Sequence, residues 1–272
     1  MTFAYLYVTK SKNILNIYYL ERLVSTMPKE TNMEAIKDVA KTLLYTDIHI
    51  DDTFDFLCHH PFFQTTATFD METHKVLDLS KEKDLNKARN MMEKQIDKAQ
   101  SYSHLFMLVQ KPYYPAMFKY SAQYLGEKDF ADALAYTWTT TAFPNHDANV
   151  SLSEFLNMFK KANKEYLMNE ENMEAYNALP DKVTVYRGTC LESTTKAMSW
   201  TTDIDKARWF AERFGDNGKV YEAQINKKDI FAYFADSGEK ETVLNYKKLE
   251  NIKEIEDLSL QRPNTHEIFE SR

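Results

Sequence analysis

Glycine is scarce in this chain: five residues in 272, and only Gly126 falls before position 180. That scarcity excludes a glycine-rich phosphate loop of the Walker or dinucleotide type. Cysteine is scarcer still. Cys58 and Cys190 stand far apart and in no metal-ligand spacing, so neither a disulfide scaffold nor a thiolate zinc site is written here. They read as two reduced thiols of a cytosolic protein. Long apolar runs are also missing. The stretch "MTFAYLYVTKSKNILNIYYLERLV" is broken by Lys10, Lys12, Glu21 and Arg22, and it lacks the charged, apolar, small-residue order of a signal peptide. The expectation is a cytoplasmic protein with no membrane span. Nor is there an excess of positive charge. With 34 Lys and Arg against 41 Asp and Glu, the net charge of −7 argues against broad nucleic-acid binding.

What is present is the composition of a globular protein, 43% hydrophobic and 14% aromatic, long enough for one or two domains. The glycine distribution divides it. One glycine in the first 180 residues implies helices with short connections, whereas four between 188 and 238 imply turns between strands. Pro180 sits at the change. "DLNKARNMMEKQIDKAQSYSHLFMLVQ" carries Leu85, Ala88, Met92, Ile96 and Ala99 at helical spacing and predicts one helix closed by Lys111-Pro112. "AMFKYSAQYLG" predicts a helix stopped by Gly126, and "DFADALAYTWTT" another. "SLSEFLNMFKKANKEYLM" opens with Ser151 and Glu154 in capping-box spacing, and "ENMEAYNAL" is a last short helix.

After Pro180 the pattern changes. "KVTVYRG" and "KAMSWTT" are β-rich. "DIDKARWFAERFG" is an amphipathic helix with Ile204, Ala207, Phe210, Ala211 and Phe214 on one face, Thr202 and Asp205 as its capping box, and Gly215 as its stop. "KVYEAQIN", "DIFAYFA" and "ETVLNY" are three more short strands. The fold class is therefore α+β: a mostly helical domain over residues 1–180, a small β-rich domain with one helix over 181–256, and a tail over 257–272.

Two regions hold the chemistry-bearing side chains. "TDIHIDDTFDFLCHHPFF" gathers His49, Asp51, Asp52, Asp55, Cys58, His59 and His60, all possible metal ligands. Their spacing matches no metal signature, and adjacent His59 and His60 point apart on any regular element, so structural roles are expected and no metal. The β-rich part has no histidine between His146 and His266, which excludes a Ser-His-Asp or Cys-His arrangement there. Its tools are Arg187 in "VYRG", Ser199 and Thr201 in "SWTTD", and Glu239 and Glu241 in "GEKET". An arginine fork suits a pyrophosphate. Residues two apart on an extended strand share a face, which would pair Ser199 with Thr201 and Glu239 with Glu241.

In that order the three motifs resemble those of the ADP-ribosyltransferase superfamily, in its Arg–Ser–Glu branch: an aromatic-Arg, an S-T-S-like and an E-x-E motif, here "YR", "SWT" and "EKE". The resemblance spans about residues 183–250. The helical part looks similar to phage-encoded proteins. What the resemblance implies is a split β-sandwich that takes NAD+ between two small sheets and moves ADP-ribose to an acceptor, with release of nicotinamide. Arg187 would hold the phosphates, with Tyr186 beside it and the Gly188 backbone near the nicotinamide amide. Ser199 would orient Glu241, which would bind the nicotinamide ribose and stabilise the developing positive charge. Glu239 would take the proton of an arginine acceptor. Trp200 and Thr201 would complete the cofactor side, and Tyr233 or Phe234, in a substrate-recognition turn "YFADSG", would touch a protein target, such as one of a bacterial host.

Two departures carry expectations of their own. Ser199 follows Arg187 by only 12 residues, which demands a direct hairpin-like connection. The bulky Trp200 in the middle motif must either leave the cleft or line it. Two rivals keep the same residues for other ends: an NAD+ glycohydrolase, which does not need Glu239, and a non-enzymatic binding protein or phage-type inhibitor on the same scaffold.

Overall fold

The computed structural model describes residues 28, 30–189, 195–213, 218–235 and 238–257. It is an α+β chain of two compact units, residues 1–154 and 155–272. No helix among the described residues is long and apolar enough to cross a membrane.

The first unit contains helices α1 (Met33–Leu44), α2 (Glu82–Lys98), α3 (Tyr102–Leu108), α4 (Tyr114–Ser121) and α5 (Glu127–Thr140). Its core is built from Ile36 and Leu44 of α1, Phe106 of α3, Met117 and Phe118 of α4, and Phe130, Leu134 and Trp138 of α5. The single helix expected over 84–110 is two. Ala99 leaves the helix with ψ 130, and Ser101 starts the next by accepting from the His104 N–H at 3.3 Å. Gly126 stops nothing; it precedes α5 as its N-cap, with φ −66.

The unit also holds two hairpins that its low glycine content does not announce. These are β1 (His49–Ile50) with β2 (Cys58–His59), and β3 (Ala67–Asp70) with β4 (Lys75–Asp78). Turns usually advertise themselves through glycine at left-handed positions. Here His74 occupies such a position, with φ 52.

Helix α6 (Leu152–Lys161) crosses the boundary between the units; in the second unit, α7 (Lys164–Leu167) and α8 (Glu170–Ala178) accompany β5 (Lys182–Thr189), β6 (Ser199–Thr201), α9 (Ile204–Glu212), β7 (Lys219–Asn226), β8 (Ile230–Phe234), β9 (Glu241–Leu244) and β10 (Glu250–Asp257). The capping box at α6 forms as the sequence dictates: Ser151 N–H donates to the Glu154 carboxylate at 2.8 Å, and Glu154 N–H to the Ser151 hydroxyl at 3.3 Å. The short helices α7 and α8 are tied to the strands. Lys164 Nζ donates to the Tyr176 hydroxyl and to the Ile230 carbonyl, and the Tyr233 N–H donates to the Met168 sulfur.

The six strands form one antiparallel sheet in the order β10-β7-β5-β6-β9-β8. It cannot be flat. Three strands lie between β7 and β8, so a flat sheet would separate them by four strand spacings, roughly 19 Å. Only Lys227–Asp229 connects them, and four Cα steps reach about 15 Å at most. The sheet therefore curls, and its weakest seam is β5–β6, joined by the single pair Tyr186↔Thr201. Two three-stranded halves, β10-β7-β5 and β6-β9-β8, meet at that seam.

Helix α9 covers β5 and β7 on one side. A Cβ added at Gly188 would stand 1.8 Å from the Ala207 carbonyl oxygen, and one at Gly218 would stand 1.9 Å from that of Ala211. Ala207, Ala211 and Val220 form the buried contact, with Tyr186 against it. Strand β10 does not show in the sequence pattern because most of its side chains are charged. It is an edge strand, laced to its neighbour β7 by Lys219–Glu254 (2.9 Å) and Lys253–Glu222 (2.8 Å) and to β5, one strand further in, by Lys182–Glu250 (2.8 Å). Such charges also keep an open edge from recruiting other strands.

Candidate active site

Strand alternation sorts the first motif. Val183 and Val185 are buried on one side of β5 while Tyr186 packs beneath α9 on the other, and Arg187 follows the valines. Tyr186 and Gly188 thus belong to the helix side of β5, and Arg187 to the other. Beyond Tyr186↔Thr201 the pairing of β5 with β6 ends. Arg187 spans the gap that opens, donating from Nη1 to the Ser199 carbonyl oxygen at 2.6 Å. The close spacing of Arg187 and Ser199 is realised, as expected, in adjacent antiparallel strands.

The second and third motifs face each other directly. Thr201 pairs with Glu241, Trp200 with Thr242 and Ser199 with Val243. The residue opposite Glu241 is therefore Thr201, with Ser199 two positions along the same face, a diagonal separation of about 7–8 Å. Ser199 meets Arg187 through its carbonyl. The strands bearing the three motifs are consecutive in the sheet; Ser199, Thr201 and Glu241 share the face of Tyr186, whereas Arg187 alternates to the other face and meets the second motif at the Ser199 backbone.

Several expected site residues are spent on structure. Trp200 is 2% exposed, with its indole N–H donating to the Ala197 carbonyl at 2.9 Å, so it is a core residue and does not line a cleft. Thr201 is buried; its hydroxyl donates to the Glu239 carbonyl at 2.7 Å and accepts from the Asp203 N–H at 3.0 Å. Tyr233 and Phe234 lie buried on β8, opposite Thr242 and Glu241, and not in an exposed turn. Within "YFADSG", Asp236 and Ser237 lie outside the described residues, as do Cys190, Phe214, Gly215 and the tail beyond Asp257.

Glu239 does not share a strand face with Glu241. Strand β9 begins at Glu241, and Lys240 before it has φ 47, so the chain turns between the two glutamates. What holds this turn is not foreseen from the sequence. Asp203, not Thr202, caps α9, accepting from the N–H groups of Asp205 (3.0 Å) and Lys206 (3.4 Å). Its second oxygen takes Lys240 Nζ at 3.1 Å, which holds the Asp203 carboxyl below its ordinary range and raises the Lys240 amine. Thr202 is unavailable as a cap because its hydroxyl bonds that of Tyr233 at 2.9 Å. The signal is the aspartate in "TTDID", one position beyond Thr202 and itself a favoured N-cap residue.

The histidine-rich segment resolves differently. Asp51 accepts from the N–H groups of Thr53 and Phe54, which lower its carboxyl, and contacts His59 at 3.0 Å. His60, 1% exposed, uses both ring nitrogens: Nε2 lies 3.2 Å from the Leu44 carbonyl, and Nδ1 accepts from the Phe62 N–H at 3.1 Å. That fixes the neutral Nε2–H form, and burial, with Arg89 nearby, lowers its pKa to about 4. Cys58 is a buried free thiol pushed up to about 11 by desolvation. Among the described residues no three His, Cys, Asp or Glu side chains are grouped as a metal site.

Comparison with family models, curated proteins and solved structures finds no match for this chain.

Proposed function

We propose that the second unit is an ADP-ribosyltransferase domain that takes NAD+ at the β5–β6 seam and passes ADP-ribose to an acceptor, a protein arginine being the one its residues suit. One observation carries this reading. The three motif strands are neighbours, and Arg187 bridges the gap between β5 and β6 by binding the backbone of the Ser199 motif. A sheet curled about a one-pair seam also supports the split sandwich that such a site needs.

The chemistry assigns the roles. Breaking the bond between nicotinamide and ribose sends the electron pair with nicotinamide and leaves positive charge on the sugar. Glu241, anchored at the start of β9 opposite Thr201, is the carboxylate that stabilises that charge. Arg187, half-buried at the seam, supplies charge for a pyrophosphate. An acceptor guanidinium becomes a nucleophile only as it loses a proton, and Glu239 is the base two residues away.

A specific observation favours a second reading. Because the chain turns at Lys240, Glu239 is not aligned with Glu241 by the strand. An NAD+ glycohydrolase needs only Arg187, Ser199 and Glu241.

The test is incubation with labelled NAD+, a bacterial lysate and agmatine, beside Glu241→Gln. Label transferred by wild type and lost in the variant supports the transferase. Free ADP-ribose without transfer supports the glycohydrolase. No NAD+ consumption overturns both and leaves a binding protein.

A further inference from the structure

We propose that Asp203 and Lys240 are a positioning pair that sets Glu239, and so decides whether ADP-ribose passes to an acceptor or to water. The inference rests on the transferase reading above. Its basis is the way the turn ahead of β9 is held against the start of α9. Lys240 adopts φ 47, a conformation costly for a side chain with a Cβ, which persists only where its surroundings impose it. Three contacts impose it. The Thr201 hydroxyl donates to the Glu239 carbonyl at 2.7 Å, the Thr202 N–H to the Lys240 carbonyl at 3.4 Å, and Lys240 Nζ to Asp203 Oδ2 at 3.1 Å. The first two act on the backbone. The third is the only one of these made by a side chain of the turn itself.

Asp203 divides its carboxylate: Oδ1 caps α9 and Oδ2 reaches Lys240. The orientation of the helix start and the path of the backbone carrying Glu239 are thus joined through one residue. The pair is solvent-facing, with side-chain exposures of 24% for Asp203 and 52% for Lys240, and pairs of this kind add little to global stability. What remains for it to do is geometric. The backbone of Glu241 is held by strand pairing with Thr201 and Phe234, whereas that of Glu239 lies in the turn that the pair holds.

The substitutions that isolate this role are Asp203→Asn, Lys240→Met and Lys240→Arg. Asparagine caps a helix as well as aspartate does, so Asp203→Asn removes the charge and keeps the cap. The measurement is the ratio of ADP-ribosyl-agmatine to free ADP-ribose formed from NAD+, with KM for agmatine and kcat separated. The expected result is a two- to five-fold fall in that ratio in Asp203→Asn and Lys240→Met, roughly what an exposed pair can supply. Total NAD+ consumption should stay within two-fold, Lys240→Arg should restore the ratio, and the double variant should be no worse than either single one. An unchanged ratio, or a parallel loss of transfer and hydrolysis, overturns the proposal while the transferase reading stands. Wild-type protein that consumes no NAD+ overturns that reading and the proposal with it.

Discussion

Two regions of this chain offer polar side chains in quantity, and they are built on opposite plans. The segment from His49 to His60 is dense in sequence, with seven possible ligands in twelve positions. Folded, two of them serve backbone groups: Asp51 the turn at Thr53 and Phe54, and His60 the main chain of Leu44 and Phe62 on either side of the segment. Arg187, Ser199 and Glu241 are sparse, spread over 55 positions, yet consecutive strands draw them to one seam. Proximity along the chain places side chains on alternate faces or in local turns. Proximity across strands can bring residues distant in sequence together: Thr201 stands opposite both Tyr186 and Glu241, while Arg187 alternates to the other face and reaches β6 through the Ser199 carbonyl.

The largest effect expected from breaking this comparison is on turnover. Glu241→Gln should lower NAD+ consumption by about 10²–10³-fold, the usual loss when a group that stabilises transition-state charge is removed. Asp51→Asn and His59→Gln, in the denser cluster, should leave it within two-fold. NAD+ consumption measured across the three variants checks both halves. Equal losses would show that density in sequence is the better guide.

Much of the second unit is legible in the amino-acid pattern. Strands at "KVTVYRG" and "KVYEAQIN" and the helix at "DIDKARWFAERFG" follow from periodicity, because their buried residues recur at two and at three or four positions. The hairpins of the first unit are not legible. Their strands are two to four residues long, and the turn at His74 uses no glycine. Strand β10 is hidden by charges that serve its edge. At the site, the order of motifs can be read, but the register cannot. No pattern in "SWTTD" says that Thr201, and not Ser199, will stand opposite Glu241, or that Trp200 will be buried, since both depend on where β6 meets its neighbours. The turn at Lys240 is equally hidden, because "GEKET" read as an extended strand contains no sign of the contacts from Thr201 and Asp203.

The next effect concerns the histidine cluster alone. His60 is held neutral with a pKa of about 4, against about 6.5 in the unfolded chain. Below pH 6.5 the unfolded state takes up a proton that the folded state refuses. Stability is therefore fully present above that pH, falls as pH drops toward 4, and levels beyond it, for a total of about 3 kcal/mol. Denaturant titrations of wild type and His60→Gln between pH 7.5 and 4 should show the slope in the first and a flatter profile in the second. Adding Zn²⁺ or a chelator should shift neither curve. A metal-dependent midpoint would mean that these side chains are a site after all.

The smallest expected effect separates packing from ligand contact within the motif region itself. Gly188 adjoins Arg187 and is expected beside the cofactor, yet its bare Cα lies against the α9 backbone, as does that of Gly218 at the head of β7. An added methyl meets main-chain atoms in both cases, which no rotamer change relieves, so Gly188→Ala and Gly218→Ala should each cost about 1–3 kcal/mol through displacement of the helix. Denaturation measures that cost, and NAD+ turnover per folded molecule reads what is left. If Gly188 serves packing alone, the two variants will lose stability alike and retain turnover alike. If its backbone also approaches the nicotinamide, Gly188→Ala will lose turnover that Gly218→Ala keeps at matched stability. That difference would show the seam to be shaped for a ligand on one side of β5 and for the helix on the other.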